Sequence, residues 1–91
     1  MPGRISWFSP IDYPLWSFFE QHDIQISVKG IAANIDYDAD YTGRRVRTIR
    51  DAGLLVQNEN GLYELSDLGR EFLADDLSRE EVEALDPDTE A

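Results

Sequence analysis

Hydrophobic residues recur along the chain at intervals that predict a short series of helices with a hairpin near the end. Leu15, Phe18, Phe19 and His22 fall at i, i+3, i+4 and i+7, one face of a helix. That helix opens at Ser9-Pro10 or Asp12 and ends near Asp23, with Trp16 and Glu20 on another face. Trp7 and Phe8 precede it and are costly to expose, so they either fold back on the domain, the preferred reading, or join a dimer contact. Residues Ile24 to Ser27 alternate as a short strand does. Ser27 is placed to cap a second helix, Val28 to about Ile35, whose Val28, Ile31, Ala32 and Ile35 share a face.

After the polar turn Asp36-Tyr37-Asp38-Ala39-Asp40, a third helix is predicted from about Ala39 to Ala52, with Gly53 as its left-handed stop. Its inward positions are Thr42, Val46 and Ile49. Leu54–Asn58 and Leu62–Leu65 read as strands joined through Glu59-Asn60-Gly61, since Asn-Gly between apolar segments is a strong hairpin signal. Ser66 caps a fourth helix through about Leu77, turning Leu68, Phe72 and Leu73 inward. Ser78-Arg79-Glu80-Glu81 has the form of a capping box for a last helix to Leu85, stopped by Asp86-Pro87, and the acidic residues beyond are expected to be disordered.

Two short helices joined by a tight turn and followed at once by a hairpin make a winged helix-turn-helix. The expected fold is therefore α+β, with a three-helix core, a two-stranded wing and a C-terminal helix. Residues 1–10 form an N-terminal arm, 11–77 the winged helix-turn-helix domain, and 78–91 the short helix and acidic tail.

Charge sharpens this reading. The 91 residues carry a formal net charge of −11, and residues 75–91 alone hold eight acids against one base. Within that acidic chain, residues 41–53 concentrate Arg44, Arg45, Arg47 and Arg50 against Asp51 alone, marking the surface suited to meet an anion. Seven arginines accompany a single lysine, Lys29. A Lys-poor surface rich in Asp and Glu suits very high salt, where at about 1 M the Debye length is only ~3 Å and self-repulsion is screened. An acidic interaction protein from an ordinary cytosol has the same composition.

Enzyme chemistry finds little purchase. There is no cysteine, and one histidine, His22, would have to serve any triad. Asp36, Asp38 and Asp40 form D-x-D-x-D, but a calcium loop needs Gly and Glu where Tyr41 and Arg47 stand, so helix capping and a solvated turn explain them better. His22 closes an apolar face without a partner arranged for metal. Glu80, Glu81 and Glu83 lie in an exposed tail that cannot hold a desolvated acid–base pair. No cofactor, metal or small-molecule substrate is expected. No apolar run approaches the roughly 18 residues of a membrane span, and the N-terminus lacks a signal peptide's apolar stretch, so a soluble cytoplasmic protein is expected.

The segments IAANIDYDADYTGRRVRTIRDAGLL (31–55), NGLYELSDLGREFLADDL (60–77) and SWFSPIDYPLWSFF (6–19) resemble the winged-helix repressors of haloarchaea and their phages, the phage phi-H repressor-like family. NIDYxxxYxxRR is the specific part of the match; RxxGLL is common to winged helices at large. The resemblance implies a sequence-specific transcription regulator, dimeric, in a cytoplasm of molar salt. Two positions depart from the pattern. Gly43 stands where the family commonly has a polar or basic side chain, and the hairpin tip lacks an arginine suited to a minor groove, while its Glu59 disfavours close phosphate approach.

At 100° per residue, turning Thr42, Val46, Ile49 and Gly53 inward leaves Tyr41, Arg44, Arg47 and Thr48 outward and Arg45 on a flank. Arginine reaches guanine O6 and N7 with two hydrogen bonds, which makes Arg44 the expected base reader. Tyr41 is expected on a phosphate or a thymine methyl, and Arg45, Arg47 and Thr48 on phosphates. Ser27 and Lys29 offer a helix N-terminus and a point charge to phosphate, and Asn60 is the wing's candidate contact. The competing reading is a winged helix used for protein contacts. It would leave these arginines tied to acids such as Asp40 and Asp51, whereas DNA binding needs Arg44 and Arg47 outward and unpaired.

Overall fold

The computed structural model describes residues 5–87. The element order is α1 (Asp12–Gln21), α2 (Val28–Ile35), α3 (Ala39–Asp51), β1 (Leu55–Gln57), β2 (Tyr63–Leu65), α4 (Asp67–Leu73) and α5 (Arg79–Glu83). The expected disorder of the acidic tail falls in part on residues 88–91, outside the described residues.

Helix starts follow local chemistry. Ser27, Asp38, Ser66 and Ser78 each accept a hydrogen bond from the backbone N–H three residues on, satisfying a donor that the helix itself leaves unpaired. At α5 the box is complete, because Glu81 returns the bond to the Ser78 N–H. Helix ends are less legible. Gly53 takes the expected left-handed conformation, φ +90°, after α3. Aspartates do the same where no glycine is present: Asp36 (φ 60°) ends α2, and Asp75 (φ 63°) ends α4 four residues before the expected Leu77. Asp36 and Asp38 thus stop one helix and start the next, the work that the D-x-D-x-D pattern performs here.

The predicted strand Ile24–Ser27 shrinks to one bridge, Ile26 to Tyr63, closed by Ile26 N–H to Tyr63 C=O at 2.9 Å and the reverse bond at 2.8 Å. Ser27 is already committed to capping α2 and Ile24 stays 48% exposed, so too few residues remain for a longer strand. β1 and β2 pair antiparallel with Leu55 opposite Leu65 and Gln57 opposite Tyr63. In the connecting turn the Asn58 carboxamide oxygen accepts from the Asn60 and Leu62 N–H groups, and Gly61 takes φ +81°.

The core joins Leu15, Trp16, Phe18 and Phe19 of α1 to Ile31, Val46, Ile49, Leu54, Leu55, Tyr63, Leu65, Phe72 and Val82. Trp16, on the second face of α1, is fully buried because the arm and α4 cover it: Phe8 stacks on it at 6.3 Å between ring centroids and Phe72 lies at 4.8 Å. Trp7 and Phe8 fold back on the domain, as preferred. Ile5 is buried, and the Trp7 indole N–H donates to the Val82 carbonyl at 2.9 Å. Gly69 is needed for close approach, since a Cβ there would collide with the Leu54 carbonyl.

The Ser6 backbone N–H and hydroxyl both donate to the Glu83 carboxylate, closing the arm onto α5. These bonds, and Arg79 nearby, hold the Glu83 carboxyl below its ordinary value of 4.5. A group with a depressed folded-state pKa stabilises the fold fully above its unfolded value, and that contribution disappears as pH falls through the folded value. Acid titration of the tryptophan fluorescence is therefore expected to show an arm-loosening step below about pH 4.5 that Glu83→Gln removes; an identical step in the variant would contradict this assignment.

Candidate nucleic-acid interface

α3 is amphipathic along its whole length. Thr42, Val46 and Ile49 are buried as the periodicity requires, and Gly43 is buried as well. The Thr42 hydroxyl donates to the Asp38 carbonyl at 2.7 Å, which satisfies its polar group inside the core.

The four clustered arginines divide into two pairs. Arg44 and Arg47 are exposed, and among the described residues neither has a carboxylate within ion-pair distance. Arg44 lies over the Tyr41 ring, 5.9 Å from its centroid, so the half-buried tyrosine and the arginine one turn later present a joint surface. The Thr48 hydroxyl, half-buried, donates to the Arg44 carbonyl at 3.0 Å.

Arg50 and Arg45 are occupied. Arg50 bonds Asp51 at 3.3 Å and the Gln57 carboxamide at 2.8 Å, tying the end of α3 to β1. Arg45, expected on a flank facing phosphate, is turned to the body of the molecule. Its Nε and Nη2 grip the two Asp12 carboxylate oxygens at 3.1 and 2.7 Å, and Nη2 also donates to the Trp7 carbonyl at 3.2 Å. Asp12 is completely buried and accepts a further bond from the Ser9 N–H. A buried carboxylate demands a charged, hydrogen-bonded partner, and Arg45 is the one that reaches it. Arg45 is thus an anchor between α3, α1 and the arm. Asp12 is the residue that sequence reasoning assigned only to opening a helix; a partner 33 positions away leaves no local signal.

Ser27 uses its oxygen to cap α2, and exposed Lys29 stands in the first turn of the same helix. Lys29 and Arg47 line one shallow cleft of about 290 Å³ between α2 and α3, together with Val28, Ala39, Asp40 and Gly43. Asn60 is exposed at the wing tip beside exposed Glu59, apart from this cleft. No described helix is long and apolar enough to cross a membrane.

The geometry is that of a helix pinned on three sides with one basic, solvent-facing edge. Residues 1–85 match the family described as the winged helix-turn-helix phage repressor. Searches of curated proteins and of solved structures found no match. With the match spanning nearly the whole chain and the two-stranded wing following α2 and α3 as that architecture requires, the chain belongs to the winged helix-turn-helix phage repressor family.

Proposed function

We propose that this protein is a sequence-specific DNA-binding transcriptional regulator, acting as a repressor, that reads the major groove with α3. The observation that carries the reading is the division of the arginines: Arg45 and Arg50 fix the helix in place, while Arg44 and Arg47 are left outward and unpaired among the described residues. Family membership makes DNA the partner class. Arg44 takes the base-reading role, with Tyr41 beside it on a phosphate or thymine methyl. Arg47, Ser27 and Lys29 hold phosphates, Thr48 joins them once its hydroxyl turns away from the Arg44 carbonyl, and Asn60 is the wing's contribution. A homodimer on two half-sites follows the usual geometry of such helices.

The acidic, Lys-poor composition supports work in a haloarchaeal cytoplasm of molar salt. Arg47 and Lys29 from each protomer of a dimer make about four charged phosphate contacts and a slope near −3.6 in log K against log salt, roughly four decades of affinity between about 0.15 and 2 M. Direct hydrogen bonds, apolar contacts and dimerisation must then supply the affinity. Fluorescence titration of duplexes across KCl concentrations is expected to show specific binding persisting above about 1 M, while non-specific binding vanishes. Absence of sequence preference at every salt concentration would reject the proposal.

A further inference from the structure

Gly43 lies within the half of α3 assigned to the groove, yet it is buried, and two neighbours account for that. A Cβ at position 43 would stand 3.2 Å from Arg47 Nη1, 3.9 Å from Arg47 Cζ and 3.5 Å from Val28 Cγ1. Residues four apart share a helix face, and long side chains lean back over the preceding turn. Arg47 does so here, with its guanidinium lying over the bare backbone of Gly43 in the cleft it shares with Lys29. Asp40 lines the same cleft without forming an ion pair with Arg47.

The geometry points to Gly43 as a positioning residue: the absence of a long side chain there seats Arg47 beside Lys29, so that the two cations meet adjacent backbone phosphates while Arg44 alone is left to read bases. The inference rests on the DNA-binding reading above. Alanine at 43 asks the flexible end of Arg47 to move by a few tenths of an ångström. A longer side chain occupies the place where the guanidinium lies and evicts it.

The test compares Gly43→Ala, Gly43→Gln, Arg47→Ala and the Gly43→Gln/Arg47→Ala pair in the full chain. Removing one phosphate interaction reduces the slope of log K against log salt by about 0.9. Gly43→Gln and Arg47→Ala are each expected to show about one such reduction per bound protomer, the pair no more than either alone, and Gly43→Ala none. Without DNA, NMR relaxation of the Arg47 Nε–H group is expected to report an ordered side chain in the wild type and in Gly43→Ala, and a mobile one in Gly43→Gln. An unchanged slope in Gly43→Gln, additive reductions in the pair, or equal Arg47 mobility in all forms would each overturn the positioning role. Failure of the wild-type chain to bind any duplex would instead overturn the DNA-binding reading, and Arg47's phosphate role with it.

Discussion

Arg45→Ala is expected to destabilise the fold by about 3–5 kcal/mol, because it strands the Asp12 carboxylate in a fully buried site. For a domain of this size each kcal/mol moves the melting temperature by roughly 4–8 °C, so a fall on the order of 10–40 °C is expected. Total stabilities of about 5–15 kcal/mol leave such a variant close to unfolding. Asp12→Ala is expected to cost less than that, though more than loss of an exposed ion pair. It strands no buried charge, since Arg45 retains 17% of its side-chain exposure, but it removes both guanidinium contacts and the bond from Ser9. The pair Asp12→Leu/Arg45→Met is expected to recover most of the loss, as apolar replacement of both members of a buried pair commonly does. Urea and thermal denaturation followed by tryptophan fluorescence would measure all three. A single-variant loss under about 1 kcal/mol, the usual yield of an exposed ion pair, would contradict the anchoring role.

Arg44→Ala is expected to behave in the opposite way, with stability nearly intact and recognition damaged. Its guanidinium is solvent-facing, and its one aromatic contact, with Tyr41, contributes about 0.5–1 kcal/mol at an exposed site. A bidentate arginine–guanine contact carries about 1–3 kcal/mol of discrimination, or roughly 5- to 150-fold between the right and wrong base. The loss should therefore fall on one base position per half-site. Arg47→Ala provides the contrast, weakening binding to all sequences alike and lowering the salt slope. These two outward residues are expected to separate by the form of their effect: Arg44→Ala alters preference, Arg47→Ala alters affinity.

The difference between Arg44 and Arg45 also marks where the sequence stops being informative. Features governed by neighbours within four residues were legible: the caps at Ser27, Asp38, Ser66 and Ser78, the left-handed Gly53, the Asn60-Gly61 hairpin, and the buried stripe Thr42, Val46, Ile49. Periodicity also placed Arg44 and Arg47 outward. It left Arg45 on the boundary between the two faces, where the outcome depends on which element packs alongside, and Asp12 of α1 decided it. Trp16 shows the same limit, its environment being set by Phe8 and Phe72 from opposite ends of the chain. The short strand at Ile24–Ser27 carried a valid alternation, but capping claimed Ser27 first. Asp75 ended α4 early because aspartate tolerates a left-handed conformation, a choice that no hydrophobic pattern encodes.

The central claim is that α3 enters a duplex groove and that Arg44 reads a base there. Selecting bound duplexes from a random pool with the wild-type chain and with Arg44→Ala, at about 2 M KCl where bulk charge attraction is largely screened, tests it directly. The expected result is a defined motif for the wild type and, for the variant, loss of preference at one position in each half-site. No enriched motif from the wild-type chain, or the same motif at full strength from Arg44→Ala, would contradict it.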